Sequence, residues 1–106
     1  MNEPIRLPPQ PDACELCRRA SPLTRHHLIP KSLHGKLYIR KRYTRQERVS
    51  ATLWVCRACH NHIHATFGER ELALTYNSRD ALMADERIRG FVEWLAGKPP
   101  GFKPKT

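Results

Sequence analysis

This 106-residue chain lacks three things. No apolar run approaches the roughly 20 residues that cross a bilayer, and no apolar stretch near the N-terminus reads as a secretory signal. There is no internal repeat beyond one pair of short cysteine motifs. Acid is also scarce: 10 Asp and Glu stand against 19 Lys and Arg, a net charge of +9. The first absence argues against a membrane-spanning role and makes a cytoplasmic chain with reduced thiols the expectation. The second leaves one small unit, since chains divide into several domains only at greater length. The third points to a polyanionic partner, most simply nucleic acid. A membrane surface is a poorer fit, because no basic helix with a broad apolar face stands out.

Proline is plentiful, and it gathers at the ends. Four of the first eleven residues are proline, and the chain closes on "KPPGFKPKT". Such runs bury little and cannot form helix interiors. Residues 1–11 and 98–106 therefore read as flexible tails around one folded domain at 12–97. A core of that size is marginal and commonly needs a disulfide or a metal to hold it.

The cysteines supply such a staple. Cys14 and Cys17 form one C-x-x-C pair, and Cys56 and Cys59 form another. Two identical spacings of this kind suit a four-thiolate zinc site better than two disulfides or four inert core thiols. Four thiolates around zinc carry about −2, so the positive balance of the chain survives metal loading.

Between the pairs, "LTRHHLI" has the character of a strand that Pro30 ends, and "ATLWV" at 51–55 is a second strand running into Cys56. The intervening residues 31–50 are strongly basic, with Lys31, Lys36, Arg40, Lys41, Arg42, Arg45 and Arg48. Thr44 and Glu47 fit a capping box and predict a short helical turn. A helix is predicted from Arg57 to Phe67, with Gly68 placed to end it. Two more helices follow. "ERELALTY" is the first, after which Asn77 or Ser78 caps a short turn through Met83. Asp85 then caps "ERIRGFVEWLA", whose Ile88, Phe91, Val92 and Leu95 form a core-facing stripe stopped by Gly97.

Histidine spacing carries the chemistry. On a helix, His60 and His64 are one turn apart on the same face, where two imidazoles reach a single metal. His62 lies about 200° round from His60 and cannot join them, which leaves it for solvent or a phosphate. On a strand His26 and His27 point to opposite faces, so one can share that metal while the other projects towards a substrate. His34, in a loop before Gly35, reads as an ordinary surface residue.

The pattern formed by His26-His27-"LIP" and "CRACHNHIH" resembles the HNH endonuclease family, in its zinc-binding, small stand-alone bacterial form. The resemblance runs over about residues 14–96. It implies an α+β fold: a small ββα-metal core stapled by a four-cysteine zinc site, with additional C-terminal helices. It implies His26, His60 and His64 as ligands of a catalytic divalent metal, His27 as general base, and Cys14, Cys17, Cys56 and Cys59 around a structural zinc ion. Imidazole ligands suit zinc, nickel or cobalt best, and open positions also admit manganese or magnesium. The substrate implied is DNA, most simply double-stranded, gripped by Lys31, Lys36, Arg40, Lys41, Arg42, Arg45 and Arg48. Where the family carries its middle asparagine, five residues before the first helix cysteine, this chain has Ala51. The orientation of His27 then falls to Thr52 or another group, or is weakened. A zinc-stabilised module that binds nucleic acid without cutting it is the alternative function.

Overall fold

The computed structural model describes residues 5–105. Two strands, β1 (Leu23–His27) and β2 (Thr52–Cys56), pair antiparallel, with Thr24 opposite Val55, His26 opposite Leu53 and His27 opposite Thr52. Between them lie a 3-10 turn (Lys31–Leu33) and the short helices α1 (Leu37–Arg42) and α2 (Arg45–Ser50). After β2 the chain enters α3 (Arg57–Thr66), then α4 (Glu69–Leu74), α5 (Arg79–Ala84) and α6 (Glu86–Ala96). The protein is a small α+β fold whose sheet and α3 enclose a cluster of four cysteines. Among the described residues no helix is long and apolar enough to cross a membrane.

The cysteine-bearing turn at residues 14–19 closes on itself through Cys14 N–H to Arg19 O (3.0 Å) and Arg18 N–H to Cys14 O (3.0 Å). It docks on the outer edge of β2: Glu15 N–H donates to Trp54 O at 2.9 Å, and Trp54 N–H donates to Glu15 Oε2 at 2.7 Å. The carboxylate thus substitutes for a third strand along an edge that otherwise exposes unpaired backbone. Ile63 on α3, Leu53 and Val55 on β2, and Ile88, Val92 and Leu95 on α6 belong to one apolar core with the cysteines. Each full burial of such a side chain contributes about 1.5–3 kcal/mol. A second, smaller cluster of Ile29, Leu33, Ile39 and Ala73 sits beneath the basic segment.

Local signals account for most element ends. Thr44 and Glu47 do form the capping box of α2. Ser78 accepts from Ala81 N–H at α5, and Asp85 accepts from Arg87 N–H at α6. Gly68 departs from the expectation. It does not terminate α3, whose C-cap is Phe67 in extended conformation, but is the N-cap of α4 with φ −75° and donates its N–H to Glu71 Oε1. Helix α1 has no counterpart in the sequence reading, because only Ile39 of its six residues is buried and a single apolar position sets no period.

The two segments read as tails make definite contacts. Trp54 Nε1 donates to Pro8 O, and Gln46 to Arg6 O. Towards the C-terminus, Phe102 packs against the main core, and Arg19 donates to Pro99 O (2.8 Å) and Phe102 O (3.1 Å). Residues 1–4 and 106 of those segments lie outside the described residues.

Candidate functional site

Two groups of potential metal ligands lie on either side of the start of α3. In the first, Cys14 and Cys17 come from the N-terminal turn, Cys56 from the end of β2, and Cys59 from the first turn of α3. All four are buried and free, with sulfurs within 4.8 Å of one another. Cys17 Sγ and Cys56 Sγ are 3.7 Å apart, close to the edge of about 3.8 Å that zinc–sulfur bonds of about 2.3 Å set in a tetrahedron. Leu16 N–H and Cys17 N–H both donate to Cys14 Sγ at 3.4 Å. Charge is unevenly shared. Hydrogen bonds from Cys14 and Cys59 push the Cys56 thiol well down, whereas its thiol neighbours Cys14 and Cys56, with burial, push Cys59 up. Four thiols this close do not all ionise unaided, and a divalent ion is the group that would let them. The donor set fits a structural metal.

Arg19 completes this group, and sequence spacing gave no sign of it. Only 6% exposed, it directs Nε to Cys17 Sγ (3.5 Å) and Nη2 to Cys56 Sγ (3.6 Å) while Nη1 holds the two C-terminal carbonyls. One planar fork therefore offsets thiolate charge and fastens a distant segment.

The second group is His26 from β1 with His60 and His64 from α3, their ligand nitrogens within 4.8 Å of one another. Ring centroids are 5.2 Å apart for His26–His60 and for His26–His64, and 5.0 Å for His60–His64. The alternation of β1 turns Thr24 and His26 towards α3, and the i,i+4 spacing turns His60 and His64 back to meet them. His26 is fully buried, yet neither of its ring nitrogens has a hydrogen-bond partner. A buried polar group left so costs about 1–3 kcal/mol, which a ligand bond would remove. Burial first, then the neighbouring His60 and His64, lowers the His26 pKa to about 3. Burial, with His64 and Arg57 adding to it, lowers that of His60 to about 4. These imidazoles are neutral at pH 7, the form that binds metal. The residues fit a divalent ion.

His27, the next residue of β1, is half-buried and pairs opposite Thr52. Burial, then the charges of His34, Arg25 and Lys31, holds its pKa below the ordinary 6.5. His34 is not the open surface residue expected. It is half-buried, with Nε2 2.8 Å from Ile29 O and its ring 6.3 Å from that of His27. At Ala51 only the backbone takes part: its carbonyl accepts from Leu28 N–H at 2.9 Å, just beyond the histidine doublet. The Thr52 hydroxyl is directed at Ser50 O, 3.5 Å away. His62 stays out of both groups, as its helical angle requires. It is half-buried, stacked on Phe91 at 4.0 Å with Nε2 3.1 Å from Arg87 O.

Of the basic residues, Lys31, Lys36, Arg40, Lys41, Arg42 and Arg45 are exposed along the 3-10 turn, α1 and α2. Arg48 is half-buried, with Nη1 donating to Tyr43 O at 2.9 Å. It is thus partly committed to the fold.

No family model matches the chain, and no solved structure does. The chain is 35% identical over 94 residues to the uncharacterized protein YisB of Bacillus subtilis (strain 168), an alignment covering 88% of this chain and 82% of that protein.

Proposed function

We propose that this chain, which belongs to the family of the Bacillus subtilis protein YisB, is a metal-dependent endonuclease of the HNH type that hydrolyses DNA phosphodiester bonds. The observation that carries the reading is the convergence of His26, His60 and His64 next to His27 on the same strand, whose pKa burial holds below the ordinary 6.5. His26, His60 and His64 would hold one divalent ion, and Cys14, Cys17, Cys56 and Cys59 a structural zinc ion. The divalent ion supplies charge neutralisation at the scissile phosphate and leaving oxygen. His27 takes a proton from the water that attacks phosphorus in line, and its lowered pKa keeps the imidazole free to do so. The exposed cations of the 3-10 turn, α1 and α2 hold the DNA backbone, so binding weakens as salt rises.

One feature favours the second reading, a zinc-stabilised module that binds nucleic acid without cutting: Ala51 replaces the side chain expected to orient the base. Supercoiled plasmid incubated with the purified chain and zinc, nickel, cobalt, manganese or magnesium separates the two. Nicking is expected with at least one metal, reduced about 10²-fold or more in His27→Ala. Plasmid that is retarded on a gel but never nicked would favour the binding module, and unchanged nicking by His27→Ala would remove His27 from the mechanism.

A further inference from the structure

The histidine group has a fourth member that is not a ligand. Thr24 lies two residues before His26 on the same face of β1 and carries a hydroxyl with two neighbours. Oγ1 is 2.8 Å from the carbonyl oxygen of Val55, its cross-strand partner, and 2.8 Å from His60 Nδ1. A hydroxyl has one proton to give. A carbonyl can only accept, so a hydroxyl that donates to Val55 O must accept from a protonated Nδ1. We propose that Thr24 is a positioning residue that fixes His60 as its Nδ1–H tautomer, leaving Nε2 with the lone pair that His60 brings to the metal shared with His26 and His64. This deepens the metal-site reading above and rests on it.

The geometry makes the assignment consequential. His60 is one of two ligands carried by a helix that could rotate or slide against the sheet, and Thr24 ties it to β1, the strand that carries the third. An imidazole free to choose its tautomer presents Nε2–H to the site about as readily as a lone pair. Outer partners that fix a ligating histidine commonly contribute a factor of 10–100 in metal affinity. Thr24→Val keeps the β-branched shape that suits the strand and removes only the hydroxyl. Thr24→Ser restores the hydroxyl and removes only a methyl group.

Two measurements test the proposal. In the chain with its cysteine site filled by zinc and no further metal added, long-range proton–nitrogen correlations of the histidine rings at neutral pH should show His60 protonated on Nδ1. That signature should disperse into a tautomer mixture in Thr24→Val and persist in Thr24→Ser. Titration of the same chains with nickel, followed by calorimetry, should show affinity at the histidine site about 10–100-fold weaker in Thr24→Val and near wild type in Thr24→Ser. An Nε2–H signal for His60 in the wild-type chain would overturn the proposal, as would equal nickel affinity in all three chains, or no nickel binding in any. Failure of the nuclease reading is visible separately. If the tautomer and the nickel series follow expectation while plasmid stays intact in every metal, Thr24 keeps its role at a site that is not catalytic.

Discussion

Arg18 is the one non-glycine described residue with φ in the left-handed region, at 67°. It follows Cys17 directly, where the chain must turn sharply to bring both sulfurs of the first pair to one centre. An L-residue in this region is held there against a cost of about 1–2 kcal/mol, so the fold tolerates Arg18 without needing its exposed side chain. Arg18→Gly is expected to unfold in urea at or slightly above the wild-type midpoint. Arg18→Val, whose branched Cβ suits this region worst, should lose about 1 kcal/mol or more. Equal stability of the two would show that the turn relaxes. At the residue scale the sequence was most legible where spacing alone sets direction: His60 and His64 lie one turn apart and meet His26 of β1. Thr24 could have been found by strand alternation, two residues before His26. Its partner could not, because only the packing of α3 across the sheet brings Nδ1 of His60 to that hydroxyl.

Elements are coupled here through side chains more than through long backbone ladders. The segment after α6 is held by Arg19, which donates to the carbonyls of Pro99 and Phe102 and to the sulfurs of Cys17 and Cys56. Hydrogen bonds to charged groups contribute about 1.5–3 kcal/mol each, and lysine cannot reproduce the planar fork. Arg19→Ala in the metal-loaded chain is therefore expected to speed chymotrypsin cleavage after Phe102 about tenfold or more, with Arg19→Lys intermediate. Wild-type cleavage rates in Arg19→Ala would mean that Phe102 packing alone holds the segment. Proline content made this stretch look like a tail because composition reports what a segment cannot form by itself, not what a buried arginine can fasten. Helix α4 shows the same limit. Gly68 carried a stop signal, yet at φ −75° it uses no freedom that glycine alone has, and its N–H is satisfied by Glu71.

For the whole molecule, the cysteine group joins parts of the chain 39 positions apart inside a core shared by the sheet, α3 and α6. The binding free energy of a structural zinc site, about 10–16 kcal/mol, is comparable to the entire stability of a small domain, about 5–15 kcal/mol. Stripping metal with a strong chelator is therefore expected to collapse the amide proton spectrum towards random-coil dispersion, with recovery on adding zinc. Metal analysis of the native chain should find about two ions if both groups fill and about one if only the cysteines do. A chain that kept its dispersed spectrum when metal-free would show that apolar packing suffices.

The sequence by itself determined the candidate metal-binding residues, the division of "CRACHNHIH" into a cysteine part and a histidine part, the two strands flanking a basic segment, and the excess of positive charge. Each follows from local periodicity or composition, which are properties of neighbours along the chain. Tertiary structure alone decided what surrounds those residues: Thr24 on His60, Arg19 on the cysteine sulfurs, His34 beside His27, and His62 stacked on Phe91. Apart from the Arg19–Cys17 pair, these contacts join residues between 7 and 37 positions apart, and most span more than 25. Over such distances neither helical nor strand period carries information, and only strand register and the packing of α3 and α6 fix which side chains meet.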